Sequence, residues 1–198
     1  MRIFLLFYLR DLFNFCRFGF NSPRALALMF VDPRAIQLVQ AQRLHKRKDA
    51  GRVVAGDWDR CVEPLAAMDK HRVIYQKVKQ NLSWEEAGIF EIYKDTQKYP
   101  LQENIARHNK LSELIEYLRQ GGKFLTRREI QPGNFREDGG VLVHVGREGE
   151  LIFSGNGYHR LAIAQALELP SIPVALGVVH AEAVRSGKLR ELMQHPRA

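Results

Sequence analysis

The densest group of side chains able to do chemistry lies near the C-terminal end of the chain, in Ser154-Gly155-Asn156-Gly157-Tyr158-His159-Arg160. Strong helix formers follow from Leu161 to Leu167, and Pro170 stops them. A helix beginning at Tyr158 opens with backbone N–H groups that have no partner inside the helix, at the positive end of its dipole. Glycines just before it let a bulky anion approach the backbone. His159 and Arg160 add donors in the first turn, and a guanidinium fork matches phosphate oxygens without titrating away. The chemistry expected of Gly155, Asn156, Gly157, His159 and Arg160 is therefore a phosphate cradle. The competing reading is a left-handed glycine turn with solvated His159 and Arg160.

A second cluster, Gly56-Asp57-Trp58-Asp59, places two carboxylates around a tryptophan. Asp57 and Asp59 have the chemistry of a general base or a magnesium anchor. A helix cap beside a packed tryptophan accounts for the same residues without catalysis. The seven histidines form no H-E-x-x-H and no close group with cysteine, so spacing signals no metal site. Cys16 and Cys61 are too sparse for a disulfide framework, which suits a reducing, cytoplasmic setting.

The elements that must position these residues are partly legible. Val141-Leu142-Val143-His144-Val145 reads as a buried strand, Gly146 to Gly149 as a tight turn, and Glu150 to Phe153 as the returning strand. Ser171 to Leu176 reads as a last strand. Upstream, Leu65, Met68, Val73, Ile74 and Val78 fit one helix within 63–80. Ser83 and Glu86 have capping-box spacing for another helix through about Tyr93. Tyr99-Pro100 is a break. Ile105, Leu111, Leu114, Ile115 and Leu118 mark a helix from Asn104 to Arg119, stopped by Gly121-Gly122.

The run from Ser154 to Ala164, with Gly157-Tyr158-His159-Arg160 inside it, resembles the G-x-H-R motif of the ParB/sulfiredoxin superfamily. The following helix and the Ile172-Pro173-Val174 strand match it too. The resemblance covers residues 110–176 and does not reach residues 1–50. It implies an α+β fold with a small mixed sheet and surrounding helices. It also implies that the Gly155–Arg160 segment binds nucleotide phosphates, as in partition proteins that use CTP, sulfiredoxins that use ATP and a free-serine kinase. The cofactor implied is a nucleotide tri- or diphosphate of unknown base, with magnesium as an optional companion. Two departures narrow the expectation. Tyr158 stands where sulfiredoxins carry their nucleophilic cysteine, and a phenol does not replace a thiolate. Only 22 residues follow Leu176, too few for the helix-turn-helix domain of partition proteins. A kinase would also need a carboxylate near the phosphates, for which Asp57, Asp59, Glu91 and Glu103 are available.

The whole chain bounds these readings. Of 198 residues, 45% are hydrophobic and 26% charged, the composition of a globular protein with a sizeable core. The net charge is +8, and residues 1–50 carry nine Lys/Arg against three acids, so most of the excess lies there. That bias points to an anionic partner, a membrane surface or nucleic acid, or to a solvated arm. Within residues 2–20, Arg2, Arg10, Asp11, Asn14 and Arg17 gather on one half of a helix. Phe4, Leu5, Tyr8, Leu9, Leu12, Phe15 and Cys16 gather on the other, while Ile3, Leu6, Phe7 and Phe13 fall on the polar side or its border. Arg10 and Asp11 argue against a membrane span. The helix is expected to dock on its own domain or a partner protein, or to lie in a membrane interface. Asp32-Pro33 reads as the cap and first position of a short helix in a connection running to residue 55. The expected organisation is a basic, aromatic-rich helical extension (1–50), a ParB/sulfiredoxin-like domain (51–180), and a C-terminal tail or helix (181–198). The function expected is binding of a nucleotide or other phosphorylated small molecule, with small-molecule kinase or nucleotide hydrolase activity as its enzymatic form. The alternatives are a non-catalytic module tethered by its N-terminal helix, and nucleic-acid binding through the basic N-terminus.

Overall fold

The computed structural model of the chain describes residues 2–42, 44–94 and 100–194, so Tyr99, half of the expected break, lies outside the described residues. The fold is a mixed α+β arrangement with an open seven-stranded sheet. The strands are β1 (Leu28–Val31), β2 (Leu38–Gln40), β3 (Val53–Val54), β4 (Val62–Pro64), β5 (Val141–Val145), β6 (Leu151–Phe153) and β7 (Ile172–His180). They lie in the order β1-β7-β5-β6-β2-β4, with β3 also paired to β7. β7 runs parallel to β5 and β3, and β2 runs parallel to β6; the β1–β7, β5–β6 and β2–β4 pairs are antiparallel. All residues of β5, β6 and β7 are buried. That explains why these strands read as continuous apolar runs: both sheet faces are covered.

The covering differs from face to face. Val141, Val143 and Val145 point into the main core, where α6 (Tyr158–Ala166) packs through Leu161, Ala162, Ile163 and Ala164. α2 (Asp69–Lys79) and α4 (Leu101–Arg119) join that core through Ile74, Val78, Ile115 and Leu118. Leu142 and Ala175 face the other way, against Phe7 of α1 (Arg2–Phe18). Ile152 and Val178 share that second face with Trp58. The tryptophan of the Gly56–Asp59 cluster is thus a packed one, its indole N–H donating to the Val54 carbonyl at 3.2 Å.

Residues 28–40, expected to be a connection, instead supply β1 and β2 to the same sheet that residues 141–180 form. Strands of three or four residues show too little alternation to be recognised, and β7 and β6, which bring them into the sheet, lie more than 100 positions away. The Asp32-Pro33 cap is present between them: Asp32 accepts from the Arg34 amide at 2.8 Å at the head of a single 3-10 turn. Ser83 and Glu86 form the expected capping box, with Glu86 accepting the Ser83 amide at 2.7 Å and Ser83 accepting the Glu86 amide at 3.1 Å. Only turns follow before α3 (Ile89–Lys94) begins, because Gly88 adopts a left-handed φ of +77°. A short α5 (Arg127–Ile130) precedes the glycines ahead of β5. Beyond β7 lie α7 (Ala181–Arg185) and α8 (Lys188–Met193). Among the described residues no helix is long and apolar enough to cross a membrane.

Candidate functional site

The β5–β6 hairpin delivers the chain to the start of α6. The Ser154 amide donates to the Leu142 carbonyl and the Leu142 amide to the Asn156 carbonyl, both at 3.1 Å, so the glycine segment continues the strand pairing. Gly155 and Gly157 both take left-handed φ values near +89°. At Gly157 a side chain is excluded twice over, since a Cβ there would sit 2.7 Å from the Val141 Cα. The Gly157 carbonyl accepts from Leu161 at 3.1 Å and closes the first helical turn. Among the described residues nothing accepts from the amides of Tyr158, His159 or Arg160, which leaves the helix mouth with its donors unspent.

Around that mouth is a set of charges with incomplete partnerships. The half-buried guanidinium of Arg160 lies 6.0 Å from the Phe124 ring and makes no salt bridge among the described residues. Burial lowers its pKa, and Arg127 lowers it further, against a smaller opposing pull from Glu137. Arg127 donates one nitrogen to the Gly139 carbonyl at 2.8 Å, while its buried Nε has no partner. Glu137 is only 2% exposed. One carboxyl oxygen accepts the Arg127 amide at 2.8 Å; the other, Oε1, is buried without a partner. Desolvation raises the Glu137 pKa, and the Arg127 amide with the charges of Arg127 and Arg160 only partly offsets this. Glu137, Gly139, Gly140, Asn156 and Gly157 line one side of a cavity of about 250 Å³ whose floor is Leu26, Leu142 and Ala175 on the α1 side of the sheet, with Arg47 at its edge in a bidentate pair with Asp138.

His159 does not join this group as a cation. Its ring lies 5.7 Å from that of His108 and its Nε2 is 3.5 Å from the Tyr93 hydroxyl, which itself hydrogen-bonds to Tyr158. Burial first, then the charges of His108, Arg107 and Lys70, hold the imidazole pKa at about 3, so it is neutral at physiological pH. Of the five predicted cradle residues, Gly155, Asn156 and Gly157 form the turn at the helix mouth and Arg160 stands in the first helical turn with its guanidinium by Phe124, while His159 turns into an aromatic cluster.

Asp57 and Asp59 sit elsewhere. Arg147, in the β5–β6 turn, donates to Asp57 and Asp59 at 2.7 Å each, and again to Asp59 from its Nε and its backbone amide at 2.9 Å. Burial opposes the charge of Asp59, yet these hydrogen bonds, with help from His180, hold its pKa at about 2. The Gly56 carbonyl accepts from Arg147 at 3.0 Å and bonds to His180 Nε2 at 2.9 Å, which closes the network. Gly157 packs against Val141 at one end of β5 and Arg147 follows its other end, six residues along, roughly 20 Å at strand rise. The two predicted clusters are thus held apart by the hairpin, and the carboxylate beside the helix mouth is Glu137.

Glu137 was not singled out by sequence, where Glu137-Asp138-Gly139-Gly140 looks like a solvated turn. Its burial arises from Leu26, 111 residues away, whose carbonyl accepts the Glu137 amide at 2.9 Å. A second buried polar group, His45 and His144 around Trp58, also has unpartnered Nε2 atoms. Among the described residues no group of three His, Cys, Asp or Glu is placed to hold a metal ion. Comparison of the chain with protein-family models, with curated proteins and with solved structures gave no match.

Proposed function

We propose that this protein binds a phosphorylated ligand, a nucleotide first among the candidates, at the N-terminal end of α6. The observation that carries this reading is Arg160, a half-buried guanidinium without a salt bridge among the described residues, in the first turn of a helix whose first three amides are unaccepted. Desolvating a cation without a counter-charge is costly, and a phosphate supplies both the charge and the acceptors. The glycine-punctuated turn gives an anion its approach to the helix dipole. A cavity of about 250 Å³ falls just below the usual size of pockets that enclose a whole small molecule, about 300–1,000 Å³. The phosphate would sit where the glycine turn meets this cavity, and the remainder of the ligand would face solvent.

Glu137 gives the enzymatic version of this reading its chemistry. A carboxyl with a raised pKa holds a proton toward a phosphate oxygen, or takes one from an attacking hydroxyl, as a kinase or hydrolase requires. It fills the place that Asp57 and Asp59 would have taken, and it is the acid best placed to meet a magnesium ion carried on the phosphates. A ParB/sulfiredoxin-like nucleotide site is consistent with the Gly157–Arg160 geometry and remains part of the proposal.

Calorimetry with ATP, ADP and CTP, with and without magnesium, tests it. At least one nucleotide binds the wild type, and Arg160→Ala weakens that binding by about ten- to a hundredfold, the loss expected for charge-assisted hydrogen bonds. Asp57→Ala leaves affinity unchanged. Absence of heat with all three nucleotides overturns the nucleotide reading. Phosphate release that is above background and abolished by Glu137→Gln marks an enzyme; release at background with intact binding marks a binding module.

A further inference from the structure

α1 is turned inside out relative to an ordinary surface helix. Three of its polar side chains face the protein: Asn14, 3% exposed, donates to the carbonyls of Pro23 and Gly51 at 2.8 and 2.7 Å. Asp11 accepts from the Ala25 amide and from Arg136, both at 2.8 Å, and Arg10 donates to the Lys48 carbonyl at 2.9 Å. Among the described residues of α1, Phe7 is the large apolar side chain that is fully buried, against Leu26, Leu142 and Ala175. On the opposite side Leu5, Tyr8, Leu9, Leu12 and Phe13 are 58–62% exposed, and Phe20 is 97% exposed. A helix folding only against its own domain would bury such residues, because removing apolar surface from water is favourable.

The apolar face continues beyond α1 and has a cationic rim. Phe135, 81% exposed, shares a groove with Tyr8 that Arg24, Arg128 and Arg136 border. Phe15, Phe20 and Met193 border a second groove with Arg24 and Arg190. Arg17, Arg24, Arg128 and Arg190 are all exposed. Of the acids nearby, Asp11 is matched to Arg136, Asp138 to Arg47 and Glu191 to Lys188, and Glu137, which borders the first groove, is only 2% exposed and so offers no surface charge.

We propose that this face lies on the surface of an anionic lipid bilayer, with the leucines and aromatic rings of α1 in the headgroup–acyl boundary and the arginines on the lipid phosphates. Charge complementarity selects this occupant over a second copy of the chain. A symmetric dimer would set this arginine rim against its own image without free carboxylates between. The hydrogen bonds of Asn14, Asp11 and Arg10 fix the orientation in advance, so the helix need not rearrange to bind.

Co-sedimentation of the full chain with vesicles tests this. Vesicles of phosphatidylcholine with about 30% phosphatidylserine bind the protein, and binding is at least about tenfold weaker to phosphatidylcholine alone or in molar salt. Leu9→Glu with Leu12→Glu abolishes binding while the thermal melt is retained, because both side chains are exposed. Equal binding to neutral vesicles overturns the proposal, as does failure to sediment with either. It is likewise overturned if the chain forms a dimer that the double substitution dissolves and that ignores vesicles.

Discussion

At one end of the β5–β6 hairpin Arg147 meets two carboxylates and a carbonyl; at the other Arg160 meets a phenyl ring, a second arginine and a carboxyl pushed toward its protonated form. Both are arginines set beside turns that glycine makes possible, and sequence alone marked the first neighbourhood for a general base or magnesium anchor and the second for a phosphate cradle. The first is saturated. Its acids hold their charge and spend it on Arg147, so it ties the N-terminal third of the chain to the hairpin. The second carries donors and a carboxyl oxygen with nothing to bind, which is what a ligand site needs and a structural clamp avoids. Residue type marks where charge gathers; only partnership tells a clamp from a site.

The largest effect should come from breaking the saturated end. Asp59 has a side chain 3% exposed, and Asp59→Ala is expected to cost about 2–3 kcal/mol by leaving Arg147 short of its main partner. Chemical denaturation measures it, and nucleotide affinity should not move. The same group sets an acid limit: its stabilisation is present above about pH 4 and is lost as pH falls toward its folded pKa of about 2.

A somewhat smaller effect sharpens the other end. In the unfolded chain His159 takes up a proton near pH 6.5, whereas in the fold it does so only at about 3. Stability should therefore fall as pH drops below about 6.5, by about 2 kcal/mol from this residue by pH 5. His144, held at about 3 by burial, adds a similar slope. Thermal melts from pH 7 to pH 5 should show the decline, and His159→Gln should shallow it. A His159 titrating at or above its ordinary pKa would instead make it a cationic member of the phosphate cradle.

The smallest effect is at Glu137. Because its folded pKa is raised, its contribution to stability is fully present below the unfolded carboxyl range and is lost as pH rises through the folded value. Glu137→Gln should then shift stability at neutral pH by less than about 1 kcal/mol, and toward greater stability, since it removes a poorly paired buried charge. A large loss would show that Glu137 is a structural anchor.

What the sequence disclosed follows from how local each feature is. The β5–β6 hairpin and α6 were legible because apolar runs, glycine punctuation and helix formers act over ten residues or fewer. So were the caps at Asp32-Pro33 and Ser83–Glu86. β1 and β2 were not, since three- and four-residue strands are too short to show alternation and join the sheet through β7 and β6 far along the chain. The helical wheel of α1 grouped Asp11 and Asn14 with Phe7 at the border of the half that faces inward, but set Leu6 and Phe13, which are exposed, on that side too, and did not tell which half faces inward. That depends on the carbonyls of Pro23, Lys48 and Gly51 presented by the folded domain. Within the site, Gly155 to Gly157 and Arg160 were visible in sequence. Glu137 was not, because burial of its carboxyl is a property of the tertiary structure.

The most direct test is a crystal structure of the protein soaked with ADP. The account predicts a phosphate within hydrogen-bonding distance of the Tyr158, His159 and Arg160 amides and of the Arg160 guanidinium, close to Glu137. Phosphate density at Arg147, or a helix mouth closed by the protein's own side chains, would contradict it.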